Sequence, residues 1–171
     1  MNQLMIDVQD HPLIITLQDT ISGNGFLAKI TLSGRTLMRR EDGKWWMYGV
    51  RPAAIAASGA TIDEAFLRFR QGHKEVLFDI AQDSTTFDEF RTEVERFFNE
   101  GDADEQAWEN ALKVIRDGHI APPEPFSNLP RQSPDARPAR IEVERLDGKI
   151  SSFVASDNVS DTISVADRQV A

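Results

Sequence analysis

Cysteine is absent from the 171 residues, which excludes a disulfide framework, a thiolate metal site and a cysteine nucleophile. The three histidines, His11, His73 and His119, are too scattered for a histidine-rich site, and each reads as a surface or helix-capping residue. Apolar runs last only a few residues, and no basic segment precedes one near Met1. Neither a membrane span nor a signal peptide is therefore expected, and the expected location is cytoplasmic. HExxH, GxSxG, GxGxxG and P-loop patterns are all missing, so the sequence shows no catalytic motif, and neither an enzyme nor a cofactor is expected. The acidic group Glu100, Asp102, Asp104 and Glu105 lacks the alternating oxygen ligands and distal glutamate of a calcium loop; it reads as the acidic entry to a helix.

What is present is a soluble-protein composition, 40% hydrophobic, with a net charge of -9 that is unevenly spread. Residues 1–60 sum to +1, residues 61–120 to -8 and residues 121–171 to -2. An acidic middle third repels nucleic-acid phosphate and suits a basic partner.

The first third has the period of two that marks strands. Leu13, Ile15 and Leu17 alternate with Ile14 and Thr16, and Phe26, Ala28, Ile30 and Leu32 alternate with Leu27, Lys29 and Thr31. Asp42-Gly43 tolerates the positive φ angles of a tight hairpin and predicts that Arg35–Glu41 pairs with Lys44–Val50. Thr61 with Glu64, and Thr86 with Glu89, have capping-box spacing ahead of two apolar stripes, so helices are predicted over 61–82 and 86–100. Trp108, Ala111, Leu112 and Ile115 predict a third helix over 103–117. Phe69 belongs to the face of the first helix that should meet the sheet.

Residues 1–118 thus form an α+β core domain, with strands over 12–50 as an antiparallel meander of three to four strands against a long helix. Residues 119–139 are proline-rich and read as a linker or strap, 140–155 as a C-terminal hairpin turned at Asp147-Gly148, and 156–171 as a disordered tail. An isolated hairpin is marginal in water, so this one must dock on the main sheet, another subunit or a partner.

Two surfaces are candidates for function. Arg35, Arg39, Arg40, Trp45, Trp46 and Tyr48 combine cations with aromatic platforms on a sheet, the combination by which single-stranded nucleic acid is bound, although adjacent Trp45 and Trp46 must point to opposite faces and the chain is acidic. Asp88, Glu89, Glu93 and Glu95 leave a negative outer face on the second helix once Phe87, Phe90, Val94 and Phe97 are buried.

The stretch from Asp42 to Ile80, DGKWWMYGVRPAAIAASGATIDEAFLRFRQGHKEVLFDI, resembles the core of HicB-like antitoxins of bacterial toxin-antitoxin modules through Asp42, Gly43, Pro52, Gly59, Thr61, Glu64 and Ala65. It departs from that family in the small residues Ala53–Ala57, in the added helices, and in showing no DNA-binding segment. The resemblance implies an antitoxin that occludes a small basic RNA-cleaving toxin, with the acidic face as the contact. Two other readings stand beside it: a stand-alone interaction protein of the same fold forming homo-oligomers, and an RNA-binding module using the aromatic and basic sheet face.

Overall fold

The computed structural model describes residues 9–101, 104–118, 124–147 and 161–166. The chain opens with an antiparallel meander of β1 (His11–Ser22), β2 (Leu27–Glu41), β3 (Lys44–Arg51) and β4 (Ala56–Gly59). Alternation along β1 and β2 sends Leu13, Ile15, Leu17, Ile30 and Leu32 to one face of this sheet and Ile14 and Leu37 to the other. The Asp42-Gly43 turn has φ values of 51° and 75°, the left-handed geometry expected of that dipeptide.

Helices α1 (Ile62–Asp83) and α2 (Phe87–Asn99) begin at the predicted capping boxes. The Thr61 and Thr86 hydroxyls accept the Glu64 and Glu89 amides at 3.1 Å, and the Glu64 carboxylate returns to the Ala60 amide at 2.8 Å. Both helices pack on the Leu13–Ile15–Leu17 face, where Ala65, Phe69, Leu77, Phe90 and Val94 are fully buried. Phe66 and Val76, which neighbour this buried stripe on α1, are only half-buried. Helix α3 (Glu105–Gly118) crosses to the opposite face, where Trp108 and Leu112 meet Ile14, Leu37 and Val50. The architecture is α+β with helices on both sides of the sheet.

The expected linker is more ordered than its prolines suggested. Phe126 opens a single 3₁₀ turn and is buried against the first core, stacked on His11 at 4.2 Å, and Arg131–Gln132 form a short strand, β5. Strand β6 (Arg140–Arg145) lies antiparallel to residues 28–33 of β2, on the edge that β3 takes further along; the expected partner strand over 149–155 lies outside the described residues. The expected tail requires correction: Thr162–Ala166 form β7, inserted between β1 and β5 with Val165 and Ala166 buried. These are small or β-branched residues that fit a pleated surface.

Two histidines also differ from expectation. His11 is buried beside Phe126 and Trp45, and burial lowers its pKa to about 4. His73 is 1% exposed and faces Asp19 of β1 at 3.6 Å. Arg70 of α1 grips the same carboxylate at 2.7 and 2.9 Å and reaches Asp161, just before β7, at 2.5 Å. Burial raises the Asp19 pKa, but His73 and the bidentate Arg70 lower it by more, leaving it below the usual carboxylate range. His119 lies outside the described residues. No described helix is long and apolar enough to cross a membrane.

Candidate functional site

The register across the hairpin pairs Arg39 with Trp46, Leu37 with Tyr48 and Glu41 with Lys44. Alternation then gathers Trp46, Tyr48, Leu37, Arg39 and Glu41 on the face opposite α1, with Leu37 under α3 and the others beyond it. The Trp46 and Tyr48 rings stack with centroids 5.9 Å apart and planes 15° from parallel. The Arg39 guanidinium lies over the Tyr48 ring at 5.2 Å and is also paired with two carboxylates: Asp10 at 2.7 Å, an ion pair whose N–H is not aligned for a hydrogen bond, and Glu41 at 3.4 Å. The Tyr48 hydroxyl donates to Glu41 at 3.2 Å. Burial, then the charge of Glu41 and this hydrogen bond, push the Tyr48 pKa above the ordinary phenol value, so the hydroxyl remains a donor at neutral pH.

Where the hairpin meets the start of α3, a cavity of about 250 Å³ is lined by Leu37, Arg39, Tyr48 and Asp104. Asp104 caps α3 through its carbonyl, which accepts the Trp108 amide at 3.0 Å. Arg51 pairs with Glu105 beside a second hollow of about 180 Å³ that runs under Trp108.

The candidate sheet residues do not act as one surface. Arg35 is buried: its guanidinium donates to the carbonyls of Gly34, Pro134 and Arg137 and stacks on Trp108 at 5.2 Å, so it pins the proline-rich strap to the sheet. Arg40 is exposed but on the other face, over Trp45 at 5.8 Å, and Trp45 packs against the α1 core. Arg39 is matched by Asp10 and Glu41. Of the six, Arg39, Trp46 and Tyr48 come together, and no array of unmatched cations faces solvent beside them among the described residues. Sequence reasoning missed Asp10, Glu41 and Asp104. Glu41 was findable, because it shares the parity of Arg39 across a hairpin whose turn was already assigned.

The acidic face of α2 is present but less uniform than its sequence implies. Glu89 is a cap, its carboxylate accepting the Thr85 amide at 3.2 Å and the Thr85 hydroxyl at 2.8 Å. Glu93 pairs with Arg96 at 2.5 Å and Asp88 with Arg91 at 3.6 Å, while Glu95 points to solvent. Reversing Glu89 to lysine would therefore remove a cap as well as a charge, and Glu93 with Glu95 make the cleaner pair to reverse.

Among the described residues no group of three histidine, aspartate or glutamate side chains could hold a metal ion. In comparison with known proteins, the chain matches no family model, no curated protein and no solved structure.

Proposed function

We propose that this chain is a HicB-like antitoxin, or a related protein-binding module, that occludes a small basic RNA-cleaving toxin. The observation that supports this reading is that the residues carrying the resemblance form one packed unit. Asp42-Gly43 turns the hairpin, Pro52 begins the loop to β4, and β4 ends on Gly59 against the first turn of α1. A Cβ at Gly59 would sit 2.6 Å from the Ala65 amide nitrogen, so the run Gly-Ala-Thr-x-x-Glu-Ala joins strand to helix by direct contact and does more than cap a helix. The acidic balance of residues 61–120 supplies the complement to a protein that must be basic to hold RNA.

The test is affinity capture of the full chain from its native host, followed by a nuclease assay. A small basic protein should come down with it, cleave RNA alone and stop cleaving when one equivalent of the chain is added. Capture of nothing, or of partners without nuclease activity, removes the reading. Binding should weaken with salt, because exposed charges are screened over about 8 Å at physiological ionic strength. Glu93→Lys with Glu95→Lys should slow association without unfolding the chain.

One observation favours the homo-oligomer as a second reading. Strand β7 pairs with β1 only over Leu13–Thr16, and the Asp161 carboxylate then caps the Gln18 amide at 3.1 Å; past that point this edge of β1 has no strand partner among the described residues. The solution mass of the purified chain distinguishes it.

A further inference from the structure

We propose that the β1–β2 turn carries a site of spontaneous modification at Asn24, whose conversion to aspartate or isoaspartate unties that turn from the end of α1, whatever partner the chain binds. Of the six asparagines, Asn24 alone precedes a glycine. Asn24 and Gly25 are both exposed, Gly25 holds φ at 81°, and its amide N–H has no hydrogen-bond partner among the described residues. A side chain on the following residue hinders attack of that residue's nitrogen on the asparagine carbonyl; glycine has none. The surroundings are open as well, since a Cβ at Gly25 would meet nothing within 4 Å beyond its chain neighbours. The step needs water and no other reagent. The Gly25 nitrogen gives up its proton and bonds to Asn24 Cγ, the Cγ–Nδ2 bond breaks, and ammonia leaves with that proton. Water then opens the cyclic imide: attack at Cγ leaves aspartate, and attack at the backbone carbonyl leaves isoaspartate, with the main chain running through Cγ.

The consequence lies in what the amide holds. Asn24 Nδ2 donates to the Ser84 carbonyl at 2.8 Å and to the Gln82 carbonyl at 3.3 Å, at the cap and in the last turn of α1. Two residues on, Phe26 packs against Phe87 and Phe90 of α2 with centroids 5.9 and 5.1 Å apart. The turn thus braces the junction between the two helices. An ionised carboxylate only accepts hydrogen bonds, so the product faces the same two carbonyl oxygens with no donor between them. Isoaspartate also lengthens the main chain just ahead of Phe26. The tether restrains Cγ and so slows the reaction, but once ammonia is lost no refolding restores it.

The full chain is incubated at mildly alkaline pH, folded and in parallel in urea, then digested, and each asparagine peptide is followed by mass spectrometry. In the folded chain amide loss at Asn24 should outpace that at every other asparagine several-fold, with both aspartate and isoaspartate formed, and in urea it should be faster still. Gly25→Ala should slow it to the rate of the others. Asn24→Asp supplies one product directly. It should raise hydrogen exchange at residues 23–26 and 82–87 several-fold over the unmodified chain while the β3–β4 amides keep their protection. Asn24→Ala, which removes the donor without adding a charge, should do the same to a smaller extent. Amide loss spread evenly over the asparagines, or confined to the unfolded chain, would overturn the site. Exchange at residues 82–87 that is unchanged in both Asn24→Asp and Asn24→Ala would overturn the tether.

Discussion

Helices α1 and α2 cover their side of the sheet continuously, from Phe26 and Ile21 at one end to Met47 at the other, whereas α3 seals only a central patch of the opposite side around Ile14, Leu37 and Val50. On either side of that patch the second face stays open, polar around Thr20 and Ser22 and aromatic around Trp46 and Tyr48. The two faces share every strand, and period-two alternation lets each be composed independently of the other. One face carries most of the apolar burial, which leaves the other free to present aromatic and charged groups at small cost in stability.

The strongest way to break this division is Phe69→Ala. Its ring is fully buried between α1 and the sheet, and truncation should cost about 3–5 kcal/mol in urea unfolding. A loss below about 1 kcal/mol would mean that the first face does not carry the fold. Asp19→Ala tests the polar group set into that same face. It would leave His73 without its carboxylate and Arg70 with only that of Asp161, and should cost about 1.5–3 kcal/mol, the range for hydrogen bonds to a charged group.

Acid should act on this face as well. His11 binds its proton only near pH 4 when folded, against about 6.5 unfolded, so between those values the unfolded chain takes up a proton that the folded chain refuses. Stability should fall as pH drops through that window, by up to about 3 kcal/mol, and His11→Phe should flatten the fall. Below the ordinary aspartate pKa, Asp19 adds a further loss, since its folded pKa lies lower than its unfolded one and its contribution disappears as it is protonated. The smallest effect sharpens the contrast most. Trp46→Ala should cost less than about 1 kcal/mol, and Trp45→Ala, one residue away but packed against Phe126 and the α1 core, at least twice as much; equal losses would show that the second face is not open.

The legibility of these features in the sequence follows the range of the interactions behind them. The meander, the Asp42-Gly43 hairpin and the two capping boxes depend on residues within a few positions of one another, and their patterns can be read directly. The Asp19–Arg70–His73 cluster joins β1 to α1 across about 50 residues, yet it left a trace: Asp19 occupies an inward position in the series Leu13, Ile15, Leu17, and His73 falls in the α1 stripe of Ile62, Ala65, Phe69 and Leu77. A polar residue in an apolar period is a request for a distant partner. Arg35 left no such trace, because its partners are backbone carbonyls of Pro134 and Arg137, and every residue has a carbonyl. The same holds for Thr162–Ala166, whose place beside β1 is set by backbone pairing. At the candidate site, the aromatic and basic residues were visible and the carboxylates that change its character were not, because Asp10 and Asp104 reach it from separate elements.

The placement of β7 has a consequence for synthesis. Its partner residues on β1 emerge from the ribosome about 150 residues earlier, so at 5–20 residues per second that edge waits for roughly 7–30 s with its amides and carbonyls unanswered. During that interval the nascent chain holds α1 against an incomplete sheet, and Arg70 grips Asp19 without the second carboxylate of Asp161. A strand from a neighbouring nascent chain could occupy the vacant position. The sheet is therefore completed only after translation has passed residue 166, and ribosomes spaced closely on one message would favour strand exchange between their products.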